Sequence, residues 1–257
     1  FGAIEGASLE ANKGAYSYAW MIIFAVIAAI MVLIGLYHIR MLPSNQIPST
    51  TKKTTSEVGR ELVAVIANFF TKKHIFYYIC FIILYRLAEG FIMKIAPLFL
   101  RASREVGGLG LSLKEIGTLN GVFGSAAFVL GSLLAGIYVS KFGLKRTLFT
   151  LCCIFNLPFL AYTFLAVTQP TNVYLIGTCI TMEYFGYGFG FVGLTLFMMQ
   201  QIAPGKHQMS HYAFASGIMN LGVMLPGMVS GYFSDLLGYR NFFIYVLIAT
   251  IPAFLIT

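Results

Sequence analysis

The sequence predicts an all-α, polytopic membrane protein, and three observations carry that expectation. Hydrophobic residues make up 58% of the 257 and charged residues only 10%, whereas a soluble domain carries about a quarter charged residues. The apolar residues gather in runs of about 20, the length a helix needs to cross the hydrocarbon core of a bilayer. The charges fall between those runs. A net charge of +8 placed in this way marks the ends of membrane helices and excludes a nucleic-acid surface.

Taken in order, seven runs qualify as spans: 16–37, 75–100, 116–139, 148–167, 173–199, 212–233 and 242–256. We number them segments one to seven. The seventh is short, as a truncated helix would be. Residues 1–13 are neither basic nor strongly apolar, so no cleavable signal peptide is expected. The chain has no initiator Met and stops within an apolar run, which reads as a piece cut at both ends. Cys80, Cys152, Cys153 and Cys179 lie inside apolar runs without metal or disulfide spacing, and read as small buried hydrophobes. No metal or cofactor is expected.

Basic residues orient the spans. With 40–74 on the cytoplasmic side, the inner connections hold Arg40, Lys52, Lys53, Arg60, Lys72, Lys73, Lys141, Lys145, Arg146 and Lys206. The outer side holds Lys13, Arg101, Arg104, Lys114 and Arg240. This two-to-one excess places the long connection inside. Its first part, Pro43 to Thr55, is rich in Ser, Thr and Pro and reads as linker. Its second part reads as an interfacial amphipathic helix, capped by Ser56, with Val58, Leu62, Val65, Ile66, Phe69 and Phe70 on one stripe. Lys72 and Lys73 close it at the negative end of the helix dipole. The expected organisation is an outer loop and the last helix of a first half (1–40), a cytoplasmic linker (41–74), and a six-helix transport domain (75–257).

The six later spans contain a repeat. Gly136-x3-Ser140-x2-Gly143-x-Lys145 follows segment three, and Gly231-x3-Asp235-x2-Gly238-x-Arg240 follows segment six. Upstream, Glu89 lies 47 residues before Gly136, and Glu183 lies 48 before Gly231. Segments two to four and five to seven therefore read as copies. Three spans is an odd number, so the copies must insert in opposite orientations, the inverted repeat of secondary transporters. A looser copy, Gly6-x3-Glu10-x3-Gly14, precedes segment one.

On these residues the chain resembles the major facilitator superfamily. Gly136 to Arg146 is similar to its loop signature G-x-x-x-D-R-x-G-R-R, with Ser140 and Lys141 at the Asp-Arg positions and Leu144 at the first closing basic position. The resemblance implies a gating loop formed by Gly136, Ser140, Lys141, Gly143, Lys145 and Arg146, in which Ser140 weakens the usual charge relay. More narrowly, Tyr85-Arg-Leu-Ala-Glu89-Gly-Phe91 resembles the Y-K-L-G-D-A-F run of AmpG-type muropeptide permeases. Met182-Glu183-Tyr184 resembles that family's F-E-N helix, and Ala215 to Phe243 its last two spans. Where that family carries an arginine in its eleventh helix, this chain has Val223. The resemblance implies that segments two to seven are helices seven to twelve of a C-terminal half. It also implies proton-coupled import of muropeptides across the inner membrane, with the N-terminal half as partner.

The residues themselves suggest where transport chemistry would sit. A charge at mid-bilayer costs at least ~2.5–3.5 kcal/mol on insertion scales, so intramembrane charges usually face a cavity. Arg86 and Glu89 share a helix face near the centre of segment two, and Lys94 lies two turns above Arg86. Glu183 lies near the centre of segment five with no cation in its own helix. The expected site has Arg86 or Lys94 binding an anionic group of a small-molecule substrate, and Glu89 or Glu183 carrying the coupling proton. The blander reading is a buried Arg86–Glu89 pair that only locks helices together. Tyr184 and Tyr187 are candidates to stack on sugar rings, and Asn120 and Asn220 to bond substrate or a neighbouring helix. The string from Phe185 to Gly193 echoes a potassium filter, but it sits inside a full span and reads as close helix packing or a hinge. The four histidines lie at helix ends and read as structural. No nucleophile–base pair is visible, so an enzyme is not expected. A secondary transporter, a facilitator for another small organic solute, and a non-transporting scaffold or sensor of the same fold are the competing functions.

Overall fold

The computed structural model describes residues 13–41 and 54–257, and every regular element among them is helical. The chain divides into two units, 1–61 and 62–257. The looser motif copy that begins at Gly6 and the linker at 42–53 lie outside the described residues.

In the first unit, α1 (Lys13–Met41) covers segment one. Its side chains from Tyr18 onward are largely exposed, and Trp20 and Phe24 stack one turn apart at 5.6 Å. The amphipathic helix α2 (Thr55–Phe70) begins in this unit. Its start differs from the expectation at Ser56. The Thr54 N–H donates to Glu57 Oε2 at 2.9 Å, so the side chain of Glu57 reaches back to a residue ahead of the helix and Ser56 sits inside the first turn.

The second unit is a bundle in which most spans are interrupted. Segment two forms α3 (Ile75–Tyr85) and α4 (Leu87–Arg101), broken at Arg86. Segment three forms α5 (Leu113–Thr118), a π-turn at Leu119–Gly124 and α6 (Ser125–Phe142). Segment four forms α7 (Leu144–Asn156) and α8 (Phe159–Thr168), separated at Leu157 and Pro158, where proline lacks the N–H that would continue the ladder. Segment five is α9 (Val173–Phe197), followed by a π-turn. Segments six and seven run on as α10 (Gln208–Ala249), which leaves helical geometry at Gly238, and α11 (Ile251–Ile256).

Among the described residues, five helical runs have the length and hydropathy to cross a membrane: Ser17–Met41, Ile75–Arg101, Leu113–Phe142, Leu144–Thr168 and Gln208–Ile256. The last is 49 residues long and contains both segments six and seven. Helix α9 has the length, but its Gly, Tyr and Thr residues dilute its apolar ones.

Those glycines are what lets α9 sit in the middle. It packs between α6 and α7, while α10 packs on α3, α4 and α8. A Cβ on Gly188 would collide with the Phe128 carbonyl oxygen of α6, and one on Gly186 or Gly190 with Ile154 or Phe155 of α7. Backbone therefore approaches backbone directly, the close packing that small residues give membrane helices. Ser132 Oγ and Tyr85 Oη donate to the Gly188 and Gly190 carbonyls at 3.1 and 3.0 Å. This is the packing role expected for the Phe185–Gly193 string.

The two motif loops share an unusual backbone. Gly143 has φ 78° and ψ 147°, and Gly238 has φ 70° and ψ 160°. Both lie in a region that L side chains rarely enter. Two glycines at the same motif position in the same rare conformation support the reading of two copies.

Candidate functional site

The site begins with a helix break. Arg86 has φ −105° and ψ 6°, ending α3 and preceding α4. The Gly90 N–H still reaches the Arg86 carbonyl at 3.0 Å, so the chain kinks without opening a gap. The cation lies at the C-terminal end of α3 and Glu89 in the first turn of α4, each at the helix pole that favours its charge. Arg86 Nε donates to Glu89 Oε2 at 2.6 Å, and Nη2 donates to Oε1. Both residues are buried, at 4% and 6% exposure. The guanidinium carbon also lies 5.4 Å from the centroid of the Phe191 ring. Arg86 is thus committed to Glu89 on one side and to an aromatic face on the other.

Next to this pair is a cavity of about 110 Å³. Glu89, Asn120, Tyr162, Glu183, Tyr184 and Tyr187 line it, drawing on four of the spans. No Lys or Arg is among the described residues that line it. Glu183 makes no hydrogen bond or ion pair among the described residues. Asn120 belongs to the π-turn, and its Oδ1 is buried without a hydrogen-bond partner. π-Turns of this kind recur at functional sites. The Tyr184 ring rests on the backbone of Gly124, where a Cβ would come within 2.9 Å of it. Tyr187 is wedged among Phe128, Phe155 and Phe191, with centroids 5.2, 5.9 and 5.8 Å away. Tyr162 stacks on Phe243 at 5.5 Å.

The structure therefore brings Glu89, Glu183, Asn120, Tyr184 and Tyr187 together, with Arg86 behind Glu89 and Tyr187 rather than in the lining. Lys94 and Asn220 are exposed and do not line the cavity. The Lys94 stem lies against Gly227 of α10, where a Cβ would stand 3.3 Å from Lys94 Cγ. Sequence reasoning missed Tyr162 and the helix-interior Pro97, both of which line the cavity. A tyrosine and a proline inside apolar runs were their only signals.

The loop residues form a separate place. Gly143, Lys145 and Arg146 line an open groove of about 840 Å³ with Gln200, Gln201 and Thr257. Ser140 Oγ donates to the Ile137 carbonyl of its own helix at 2.8 Å. Lys141 Nζ lies 5.4 Å from the Phe142 ring centroid, and Gly136 faces open space.

Fold and cavity together define a multi-pass α-helical membrane protein with a small, mostly apolar pocket between its spans that carries two carboxyls. The chain belongs to the Major Facilitator Superfamily, whose family model it matches over residues 11–205. It is similar to the anhydromuropeptide permease of Escherichia coli (strain K12), at 23% identity over 209 residues, covering 81% of this chain and 41% of that protein. A provisionally named AmpG-type transporter of Rickettsia bellii is 25% identical over 238 residues, covering 91% of this chain and 56% of that protein. Its counterpart in Rickettsia felis is 26% identical over 177 residues, covering 68% and 38%. The chain thus spans between 38% and 56% of the length of these relatives.

Proposed function

We propose that the full-length protein is a proton-coupled secondary transporter that imports an anionic, sugar-containing solute of the anhydromuropeptide class across an inner membrane. The observation that carries this reading is Glu183, a carboxyl with no hydrogen bond or ion pair among the described residues, in a small, mostly apolar cavity beside a second carboxyl already neutralised by Arg86. Of the two carboxyls, Glu183 is the one free to gain and lose a proton. Glu89 is held by two charge-assisted bonds from Arg86.

The same reasoning divides the substrate roles. Arg86 is occupied, so Lys94 is the cation left to meet a substrate anion. Tyr184, resting on Gly124, offers a ring face, and the unpartnered Asn120 Oδ1 offers an acceptor to a sugar hydroxyl. The names of the relatives support the solute class, and the basic-residue excess supports a cytoplasmic 41–74 linker. The remaining length of those relatives fits an N-terminal half that completes the transport path.

The test is uptake of labelled anhydromuropeptide into vesicles by the full-length protein, with and without a pH gradient. Gradient-driven accumulation is expected. Uptake that is absent or indifferent to the gradient rules out coupled import. Glu183→Gln should abolish accumulation and spare binding and exchange. Unchanged accumulation in that variant would make Glu183 structural. The closed Arg86–Glu89 pair also favours a second reading, a scaffold of the same fold whose charges only hold helices together. Full-length protein that binds no solute in equilibrium dialysis would support it.

A further inference from the structure

We infer that His211 is a pH-sensitive latch holding the C-terminal half of α2 against the bundle. His211 is fully buried, with 0% exposure, yet neither Nδ1 nor Nε2 has a hydrogen-bond partner. Buried polar groups without partners are rare, and each one asks for an explanation.

The surroundings supply one. Phe69, at the last turn of α2 and 1% exposed, packs its ring on His211 at 5.7 Å and on Phe214 at 5.6 Å. Val65, one turn earlier and 6% exposed, is the other buried residue of this half of α2. Its backbone faces the imidazole without completing a hydrogen bond. Beyond α2 the chain turns through His74, which holds a left-handed φ of 63°. Lys72 in that turn donates from Nζ to the carbonyls of Ile202 and Pro204, the latter at 2.8 Å. The docked half-helix is therefore pinned at Val65, Phe69 and Lys72, and His211 lies under two of the three pins.

Among the described residues, each charged group that acts on the ring is basic. From the turn after α2 it is Lys72, and from the start of α10 it is His207, whose ring lies 6.0 Å away. No carboxylate faces it among the described residues. A neutral imidazole tolerates this site because its body is apolar. An imidazolium would be a buried charge without a counter-ion, flanked by like charge, which is strongly unfavourable. Released into water, the same side chain protonates freely at an ordinary pKa of ~6.5. The docked arrangement is thus fully present at alkaline pH and weakened as the pH falls through the histidine range. The outer face of this half-helix, with Leu62, Ile66 and Phe70 exposed, stays available to the bilayer surface in either state. The latch stands on these contacts alone and does not depend on the transport reading.

Hydrogen exchange tests it. Full-length protein in lipid nanodiscs is compared at about pH 8 and about pH 5.5, with exchange times scaled for the intrinsic rates. Peptides covering 62–70 should lose protection by about tenfold at the acid pH in the wild type. His211→Phe should keep them protected at both values, and His211→Gln, also neutral, carries the same expectation should the phenylalanine ring not seat. His74→Gln and His207→Gln should respond to pH as the wild type does. Equal wild-type protection at the two pH values overturns the latch. So does an acid response that persists in the His211 variants, or loss of protection at both pH values in both of them.

Discussion

Two residue types set the tolerance of this bundle, and they fail in different ways. Gly188 has the Phe128 carbonyl where a methyl group would go, so Gly188→Ala must force α6 and α9 apart. Overpacking of this kind costs ~1–3 kcal/mol, and denaturant unfolding in detergent should register it. Gly136 faces open space on a helix of the same bundle, so Gly136→Ala should raise stability by ~0.4–1 kcal/mol in the same assay. For Arg86 the expected loss comes from an abandoned charge. Arg86→Met leaves Glu89 buried alone and should cost about 3–5 kcal/mol, whereas Arg86→Met with Glu89→Leu should recover most of it. If the double variant stays as unstable as the single one, the pair matters for more than its own neutralisation. The cost of charge in lipid made Arg86, Glu89 and Glu183 legible from composition alone. Their division of labour was not legible, because pairing depends on rotamers set by neighbours such as Phe191.

At the scale of elements, breaks in helices are where sequence and structure part company. The Gly143 and Gly238 turns were announced by a repeated motif, and their shared positive φ gives that motif a physical meaning. Gly143→Ala and Gly238→Ala should each cost about 1–3 kcal/mol through backbone strain. A thermal-shift series in which both are silent would mean the loops relax. The break at Arg86 carried no such announcement, since arginine is an ordinary helix residue. Lys94 lies five residues after Glu89 on the unbroken α4, off the face on which Glu89, Ile92, Met93 and Ala96 line the cavity. The amphipathic pattern of α2 was readable, and its start moved to Thr54 because Glu57 is the better partner for a free N–H. His211 escaped notice because lacking a partner is a property of the packed state.

At the scale of the whole molecule, runs of hydropathy placed seven segments in order along the chain, and among the described residues these resolve into five helical runs long and apolar enough to cross a membrane. They could not show that α9 sits between α6 and α7, which follows from where its glycines permit backbone contact. Under the transport reading proposed above, solute would cross between this bundle and a second one, for which relatives about twice as long have room. The 257-residue chain expressed alone should therefore insert without accumulating labelled anhydromuropeptide, and co-expression with the remaining half should restore uptake. Accumulation by the chain alone would place the entire path within it.

The closed Arg86–Glu89 pair has an electrical consequence. Two opposite charges bonded at 2.6 Å move as one neutral body, on which a transmembrane voltage exerts almost no net force. A lone charge crossing the full field exchanges about 2.3 kcal/mol per 100 mV. On the proposed reading, voltage acts on the cavity chiefly through Glu183, so the charge moved per solute would be the protons carried there less the solute's own negative charge, with nothing added by the paired neighbour.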